Sequence, residues 1–243
     1  LRRDLRLERR IVSDQLEAAL EGLGVHVESS AARRDGGVVR RYDPERSAVE
    51  ISSELSEARR KFDLAHVLGL KLLDEKGIFQ AILAPHRARH AESKTLLKVH
   101  LANYFAGALL MPYAEFFRDA QATRYDVERL ADLFGMSYEA AAHRLTNLGD
   151  PRRRGVPMHF MRVDVAGNIS KRYSATGLAF PIGLGSCPKW VAHTAFLTPS
   201  QISKQLSVMP DGAAYFCFAK ITSQPLRGSL VKVSPIEGNS PGA

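Results

Sequence analysis

Apolar side chains recur at helical spacing through the first 150 residues. Between residues 4 and 22, Leu, Ile, Val and Ala return every three or four positions, and Gly22 and Gly24 follow, which predicts a first helix over 4–22. The same spacing predicts further helices over 56–73, 94–111, 113–120, 125–134 and 138–147. We expect the helices at 56–73 and 94–111, which carry many apolar residues, to pack together in the core.

Short apolar runs between turn-forming residues predict strands at both ends of this helical region. Near the N terminus they cover 25–29, 38–42 and 48–52, and the turn formers at 33–37 predict a hairpin between the first two. Turn formers and charged residues at 149–155 mark a boundary between two parts of the chain. After it we expect a hairpin from 158–165 and 169–174 and a second hairpin turn within 208–221. We also expect strands at 180–184 and 230–233 and a helix at 187–196. The chain therefore predicts an α+β fold, with a mainly helical domain over 1–150 that holds a small sheet and a β-rich domain over 151–243.

Composition narrows the class of protein. The 45% apolar and 25% charged fractions are those of a globular chain, and no run of about 18–20 apolar residues indicates a membrane span. Two cysteines do not make a disulfide scaffold, so a reduced cytoplasm is the expected compartment. The chain begins with Leu1, and we expect it to be a fragment or a processed chain. Its net charge of +8 fits an anionic partner as well as solvated surfaces.

The clearest candidate for chemistry is His66. Zinc peptidases place two histidines four residues apart on one helix, with a glutamate after the first as the general base. Here Val67 occupies the glutamate position and Leu70 the second histidine position. We therefore predict no catalytic residue and no bound metal. A thiol nucleophile at Cys187 with His193 is a weak alternative, because six residues of helix separate them by about 9 Å.

The segments Phe62–Leu70 and Leu101–Pro112 resemble the ImmA/IrrE metallopeptidase-like domain. Active members of that family carry an acidic ligand at the place that Leu101 occupies, so three of the four catalytic positions are aliphatic and the resemblance implies a pseudo-enzyme. Three further segments, 163–172, 187–190 and 209–212, resemble the short-chain fatty acyl-CoA-responsive transcription regulators of actinobacteria, in particular the regulators of propionate (methylcitrate-cycle) genes. The resemblance spans about 38–220.

This family resemblance implies the sensing part of a regulator. Its members bind DNA through a helix-turn-helix domain, which we expect to lie outside this fragment, and they commonly hold an iron–sulfur centre in a C-terminal cysteine cluster. Cys187 and Cys217 lack metal-ligand spacing, so we predict buried core positions for both and no cluster in this fragment. The resemblance also implies a GAF-like character for the β-rich domain. We further expect a cytoplasmic protein that forms a homo-oligomer.

A coenzyme A thioester needs cations for its phosphates, an apolar or aromatic face and a narrow apolar slot for the acyl group. Four residues at the ends of predicted elements are our candidates for binding CoA or acyl-CoA: Arg33, Lys61, Tyr113 and Arg172. Each also has an ordinary structural interpretation, as a solvated charge for Arg33 and Lys61, a core-edge tyrosine for Tyr113 and a cross-strand pair for Arg172. Val67, Leu70 and Leu101 would line a dry pocket.

Two other functions fit parts of the chain. The arginines near the N terminus would suit a nucleic-acid-binding module: Arg2, Arg3, Arg6, Arg9 and Arg10. Such binding would weaken steeply with salt, but we find no recognition helix in the sequence. A pure dimerisation scaffold would bind neither ligand nor DNA.

Overall fold

The computed structural model describes residues 2, 4–5, 7–8, 10–30, 40–84, 90–176, 189–199, 201–209, 212–221 and 229–235. The chain divides into two compact units, Leu1–Tyr138 and Glu139–Ala243. The division of the sequence into domains at residue 150 stays a prediction.

Unit 1 is mainly helical and contains a small sheet. Its helices are α1 (Ser13–Glu21), α2 (Glu57–Glu75), α3 (Ile78–Leu83), α4 (Ala91–Leu110), α5 (Tyr113–Ala122) and α6 (Val127–Phe134), and its strands are β1 (His26–Ser30), β2 (Arg40–Asp43) and β3 (Ala48–Ser52). The short helix α3 was not predicted. Helix α1 begins at Ser13 rather than at residue 4. At this start, the Ser13 amide and hydroxyl each donate a hydrogen bond of 2.8 Å to the Glu57 carboxylate.

The three strands of unit 1 are arranged in the order β1-β3-β2, with β1 parallel and β2 antiparallel to β3. The predicted hairpin between the first two strands is therefore wrong. Strand β3 lies between the other two and is the most buried of the three. Its residues Val49 and Ile51 are fully buried, whereas β1 and β2 have no buried residue. A central strand buries more of its surface than an edge strand does.

Helices α2 and α4 pack against each other, as predicted. Leu64, Val67 and Leu68 of α2 are fully buried. At Gly69 a Cβ atom would lie 2.8 Å from the Phe105 ring of α4, so the absence of a side chain at this position lets the two helices approach closely.

Unit 2 contains a five-stranded antiparallel sheet in the order β5-β4-β8-β7-β6. The strands are β4 (His159–Val163), β5 (Ile169–Ser174), β6 (Ser203–Val208), β7 (Ala214–Ile221) and β8 (Ser229–Pro235). Helix α7 (Tyr138–Leu145) precedes the sheet, and helix α8 (Val191–Leu197) lies between β5 and β6 in sequence. Residues of β4, β7 and α8 form the core: Met161, Val163, Val191, Ala192, Ala195, Tyr215, Cys217 and Ala219.

Strands β4 and β5 pair as the hairpin predicted from 158–165 and 169–174. The 169–174 strand and the hairpin turn before β7 are observed, and Gly212 adopts a φ of 83° and donates to the Met209 carbonyl. Strand β6, which pairs with β7 and precedes this turn, was not predicted. The predicted strand at 180–184 lies outside the described residues, as does Cys187. The α+β class is confirmed, and no helix in the described ranges is both long and apolar enough to cross a membrane.

Candidate functional site

The position where a peptidase-like fold would hold its metal is occupied by a neutral histidine. His66 is 1% exposed, and its Nδ1 lies 2.7 Å from the Asn103 amide oxygen of α4. Because that oxygen can only accept, Nδ1 carries the proton. Burial, aided by the positive charge of Arg40, lowers the His66 pKa to about 4, so the imidazole is uncharged at neutral pH.

The other metal and base positions cannot take part in such chemistry. Val67 is fully buried, and Leu70 and Leu101 are half-buried. Aliphatic side chains neither bind a metal ion nor accept a proton. Within the described part of the chain, no group of three His, Cys, Asp or Glu side chains could hold a metal ion.

A buried carboxylate lies one helical turn before His66. Asp63 is 1% exposed, and it accepts hydrogen bonds of 3.1 Å from Arg40 Nη1 and 2.7 Å from Arg59 Nε. The pairing connects β2 to α2 and leaves one net positive charge near the imidazole. The Arg59–Asp63 pair has the i,i+4 spacing that a sequence can reveal, whereas the Arg40–Asp63 pair depends on how β2 packs on α2.

Lys61 is buried rather than solvated. It is 2% exposed, and its ammonium donates to the Phe134 carbonyl at the end of α6 over 3.3 Å. Burial lowers the Lys61 pKa; the charge of Glu57 opposes this shift and that of Arg10 adds to it. An ammonium has three donors, and Phe134 is its one hydrogen-bond acceptor among the described residues.

A second cation lies beside this ammonium. Gly135 follows α6 with a left-handed φ of 58°, and a Cβ atom there would lie 2.9 Å from Arg10 Nε and 3.0 Å from Lys61 Nζ. The guanidinium of Arg10 and the ammonium of Lys61 therefore both lie next to Gly135, where the absence of a side chain leaves room for them. Convergent Lys and Arg donors suit a phosphate or carboxylate group. Sequence reasoning placed Arg10 in a basic N-terminal stripe but could not relate it to Lys61.

The other candidate ligand residues lie in different places. Tyr113 is the first residue of α5, half-buried, with its ring stacked on Phe117 at 6.2 Å. Arg172 is exposed on β5 of unit 2, opposite Met161. Arg33 lies outside the described residues. Lys61 and Tyr113 belong to unit 1, and the roles of all four in ligand binding stay predictions.

The structure also bears on the other predicted residues. Cys217 is 2% exposed and lies in the unit 2 core, as predicted. Arg2 binds the Glu115 carboxylate at 3.4 Å and the Glu8 carbonyl, and Arg10 faces Gly135. These two arginines therefore contact the protein itself, which weakens the case for an N-terminal stripe that binds nucleic acid.

The fold and the inert histidine position define a peptidase-like domain without peptidase chemistry, joined to a small β-rich domain. Residues 20–146 match the family model of the IrrE N-terminal-like domain, and residues 147–234 match that of the short-chain fatty acyl coenzyme A regulator, C-terminal. The chain belongs to the short-chain fatty acyl-coenzyme A regulator family, as its sequence motifs predicted.

Similar proteins support this assignment. The chain is 43% identical over 191 residues to the HTH-type transcriptional regulator PrpR of Mycobacterium tuberculosis, covering 79% of this chain and 39% of PrpR. It is 44% identical over 181 residues to the propionyl-CoA carboxylase regulator of Cereibacter sphaeroides, covering 74% and 39%. A solved Mycobacterium tuberculosis transcriptional regulator superposes with a TM-score of 0.80 at 37% identity, covering 91% of this chain and 69% of that one.

The names of these relatives agree with the prediction that the chain is not a peptidase. They are transcriptional regulators, and one is a regulator of a propionyl-CoA enzyme. The chain spans about two fifths of the length of the curated relatives that it matches.

Proposed function

We propose that this chain is the ligand-sensing part of a transcriptional regulator that binds coenzyme A or a short-chain acyl-CoA, with propionyl-CoA as the first candidate. It would control genes of propionate and short-chain fatty acid metabolism. In the proposed regulator, a helix-turn-helix domain outside this chain binds the DNA, and the protein is a cytoplasmic homo-oligomer. The match of residues 147–234 to the acyl-CoA regulator domain carries the proposal.

The pair of cations at Gly135 supports the phosphate end of such a site. Acyl-CoA carries a diphosphate and a 3′-phosphate, and Lys61 has two donors that no described acceptor occupies. A phosphate oxygen near Gly135 would offset the cost of burying this ammonium. Arg33 and Arg172 are the further proposed phosphate partners, and the Tyr113 hydroxyl is a proposed hydrogen-bond donor to the ligand.

The residues at the metal-ligand positions of the peptidase-like family support a site for the uncharged acyl end of the ligand. Val67 and Leu101 present aliphatic groups, and the neutral His66 retains a lone pair on Nε2 because Nδ1 is protonated. A short acyl chain favours such an apolar environment. The loss of metal ligands would thus have exchanged a polar catalytic centre for a binding slot.

Ligand binding would be transmitted as a difference in affinity. A ligand changes a regulator only to the extent that it binds one conformation more tightly than another. A coupling free energy of about 1–3 kcal/mol is typical and would change operator affinity about 5- to 150-fold.

The experiment is a calorimetric titration of CoA and propionyl-CoA into the 243-residue chain. Lys61→Ala and Arg172→Ala should each weaken binding about tenfold or more, since a hydrogen bond to a charged group contributes about 1.5–3 kcal/mol. Arg46→Ala, an exposed arginine in the turn before β3, is the control and should bind like the wild type. Absence of heat with either ligand refutes the proposal, whereas unchanged affinity in both variants refutes only the assigned residues.

A further inference from the structure

The positive charge of the chain is concentrated in unit 2. Residues 139–243 contain 12 of the 34 Lys and Arg but only 5 of the 26 Asp and Glu, and so carry +7 of the net +8. Unit 1 is nearly balanced, with 22 basic and 21 acidic residues. A charge imbalance of this size over about 100 residues favours a polyanionic partner.

The acidic side chains described in unit 2 are engaged in local interactions. Glu139 of α7 binds Lys171 at 2.7 Å and Arg162 at 3.4 Å. Asp164 accepts from the Asn168 amide and side chain in the turn between β4 and β5. These carboxylates therefore do little to screen cations elsewhere on the unit.

Three consecutive arginines project from an ordered turn of this unit. We call Arg152–Arg154 the arginine turn. The loop that holds it is closed by a hydrogen bond of 2.9 Å from the Gly155 amide to the Leu148 carbonyl. Gly155 packs so closely on Leu148 that a Cβ atom would lie 2.7 Å from the Leu148 Cβ.

Asp150 completes the loop. Its backbone carbonyl accepts from the Arg153 amide and its carboxylate from the Arg152 amide, both over 3.0 Å. One carboxylate against three guanidinium groups leaves the turn with a local charge of about +2. All three arginines are exposed, and the side chains of Arg152 and Arg154 form no ion pair within the described residues.

We infer that the arginine turn contacts the phosphate backbone of duplex DNA independently of base sequence. The inference rests on the proposed function in one respect, namely that a regulator brings DNA to the protein. Arginine forks bind phosphate oxygens bidentately, and a turn whose backbone is already held by hydrogen bonds loses little conformational entropy on binding. The turn would add non-specific affinity to the sequence-specific contacts of a helix-turn-helix domain.

Duplex DNA fits these arginines better than an acyl-CoA does. A nucleotide ligand needs an apolar or aromatic face beside its phosphates. The arginine turn is exposed throughout and is bordered by the exposed Pro151 on one side, whereas the buried Lys61 belongs to a closed environment in unit 1. The two cationic features therefore suit different anions.

The test is fluorescence anisotropy of the 243-residue chain with a labelled 20-base-pair duplex of scrambled sequence, titrated at several KCl concentrations. The variant is Arg152→Ala with Arg154→Ala. The matched control is Arg46→Ala with Arg129→Ala, which removes two exposed arginines of unit 1 and the same net charge. Each phosphate contact contributes about eightfold in affinity at 0.1 M salt through counterion release, so we expect a loss of about 60-fold and a salt slope smaller by about 1.8.

Three results would overturn the inference. The wild-type chain does not bind the duplex at 50 mM KCl; or the two double variants lose the same affinity, which shows a general charge effect; or the turn variant loses CoA affinity in calorimetry, which assigns the turn to the small ligand. Because CoA binding is measured separately, failure of the DNA-binding inference leaves the proposed sensing function intact. In the same way, a chain that binds no CoA could still bind duplex DNA through the arginine turn.

Discussion

Lys61→Met removes a positive charge from the interior of unit 1 while it keeps the length of the side chain. The ammonium is 2% exposed and has one described acceptor, at 3.3 Å, which is beyond the usual range for such a bond. Burying a poorly paired charged group costs about 1–3 kcal/mol or more. Its favourable position at the end of α6 returns about 0.3–1 kcal/mol, so the cost is the larger effect.

We therefore expect Lys61→Met to raise the free energy of unfolding of unit 1 by about 1–2 kcal/mol. The same substitution should weaken CoA binding about tenfold or more, because a charge-assisted contact to phosphate is lost. A gain in stability with a loss of binding is expected where a residue is retained for function rather than for folding.

The pH dependence gives an independent check. Since the pKa of Lys61 in the folded chain is lowered, the unfolded chain binds more protons between that pKa and the ordinary value of 10.5. Wild-type stability thus rises with pH through this interval. The advantage of Lys61→Met is full below the folded pKa and should shrink as the pH approaches 10.5.

The assay is urea unfolding followed by far-UV circular dichroism, whose helical signal comes mostly from unit 1, where six of the eight described helices lie. Trp190, the one tryptophan of the chain, lies in unit 2, so its fluorescence should report an unchanged transition. Lys76→Met, at an exposed position after α2, is the control and should change stability by less than about 0.5 kcal/mol. A Lys61→Met protein that is less stable than the wild type by 1 kcal/mol or more would refute the reasoning, and the contact with Phe134 would then be structural.

Three further predictions concern other positions. Gly135→Ala should lower the free energy of unfolding, measured by thermal denaturation, by about 1–2 kcal/mol, because Gly135 has a left-handed φ. Gly107→Ala is the control and should be stabilising, because Gly107 lies in α4 with nothing within 4 Å of a Cβ. Equal effects of the two substitutions would contradict the role of φ. Glu139→Gln removes two ion pairs and should cost about 1 kcal/mol or less, with the difference from wild type vanishing in 1 M NaCl denaturation curves. Burial lowers the His159 pKa from 6.5 to about 4, so wild-type stability measured by Trp190 fluorescence should fall from pH 6.5 to pH 4, and His159→Gln should show a smaller fall.

Local sequence patterns were sufficient to predict most of the helices and to exclude zinc-dependent peptidase chemistry. Helical spacing identified α2 and α4 because their apolar residues recur every three or four positions, and this periodicity is a property of neighbouring residues. Val67 and Leu70 excluded zinc catalysis without any structure, since a ligand set is defined by residue types at fixed spacing along one helix.

Only the tertiary structure decided which distant residues meet. The order β1-β3-β2 could not be read from three short strands, because alternating patterns show which face is buried but not which strand is the neighbour. The same limit applied to Arg10 and Lys61, 51 positions apart, which converge on Gly135 only through the way α6 ends beside α2. A lysine next to an amphipathic pattern is normally solvated, and it is the packing of α6 that places this ammonium in the interior.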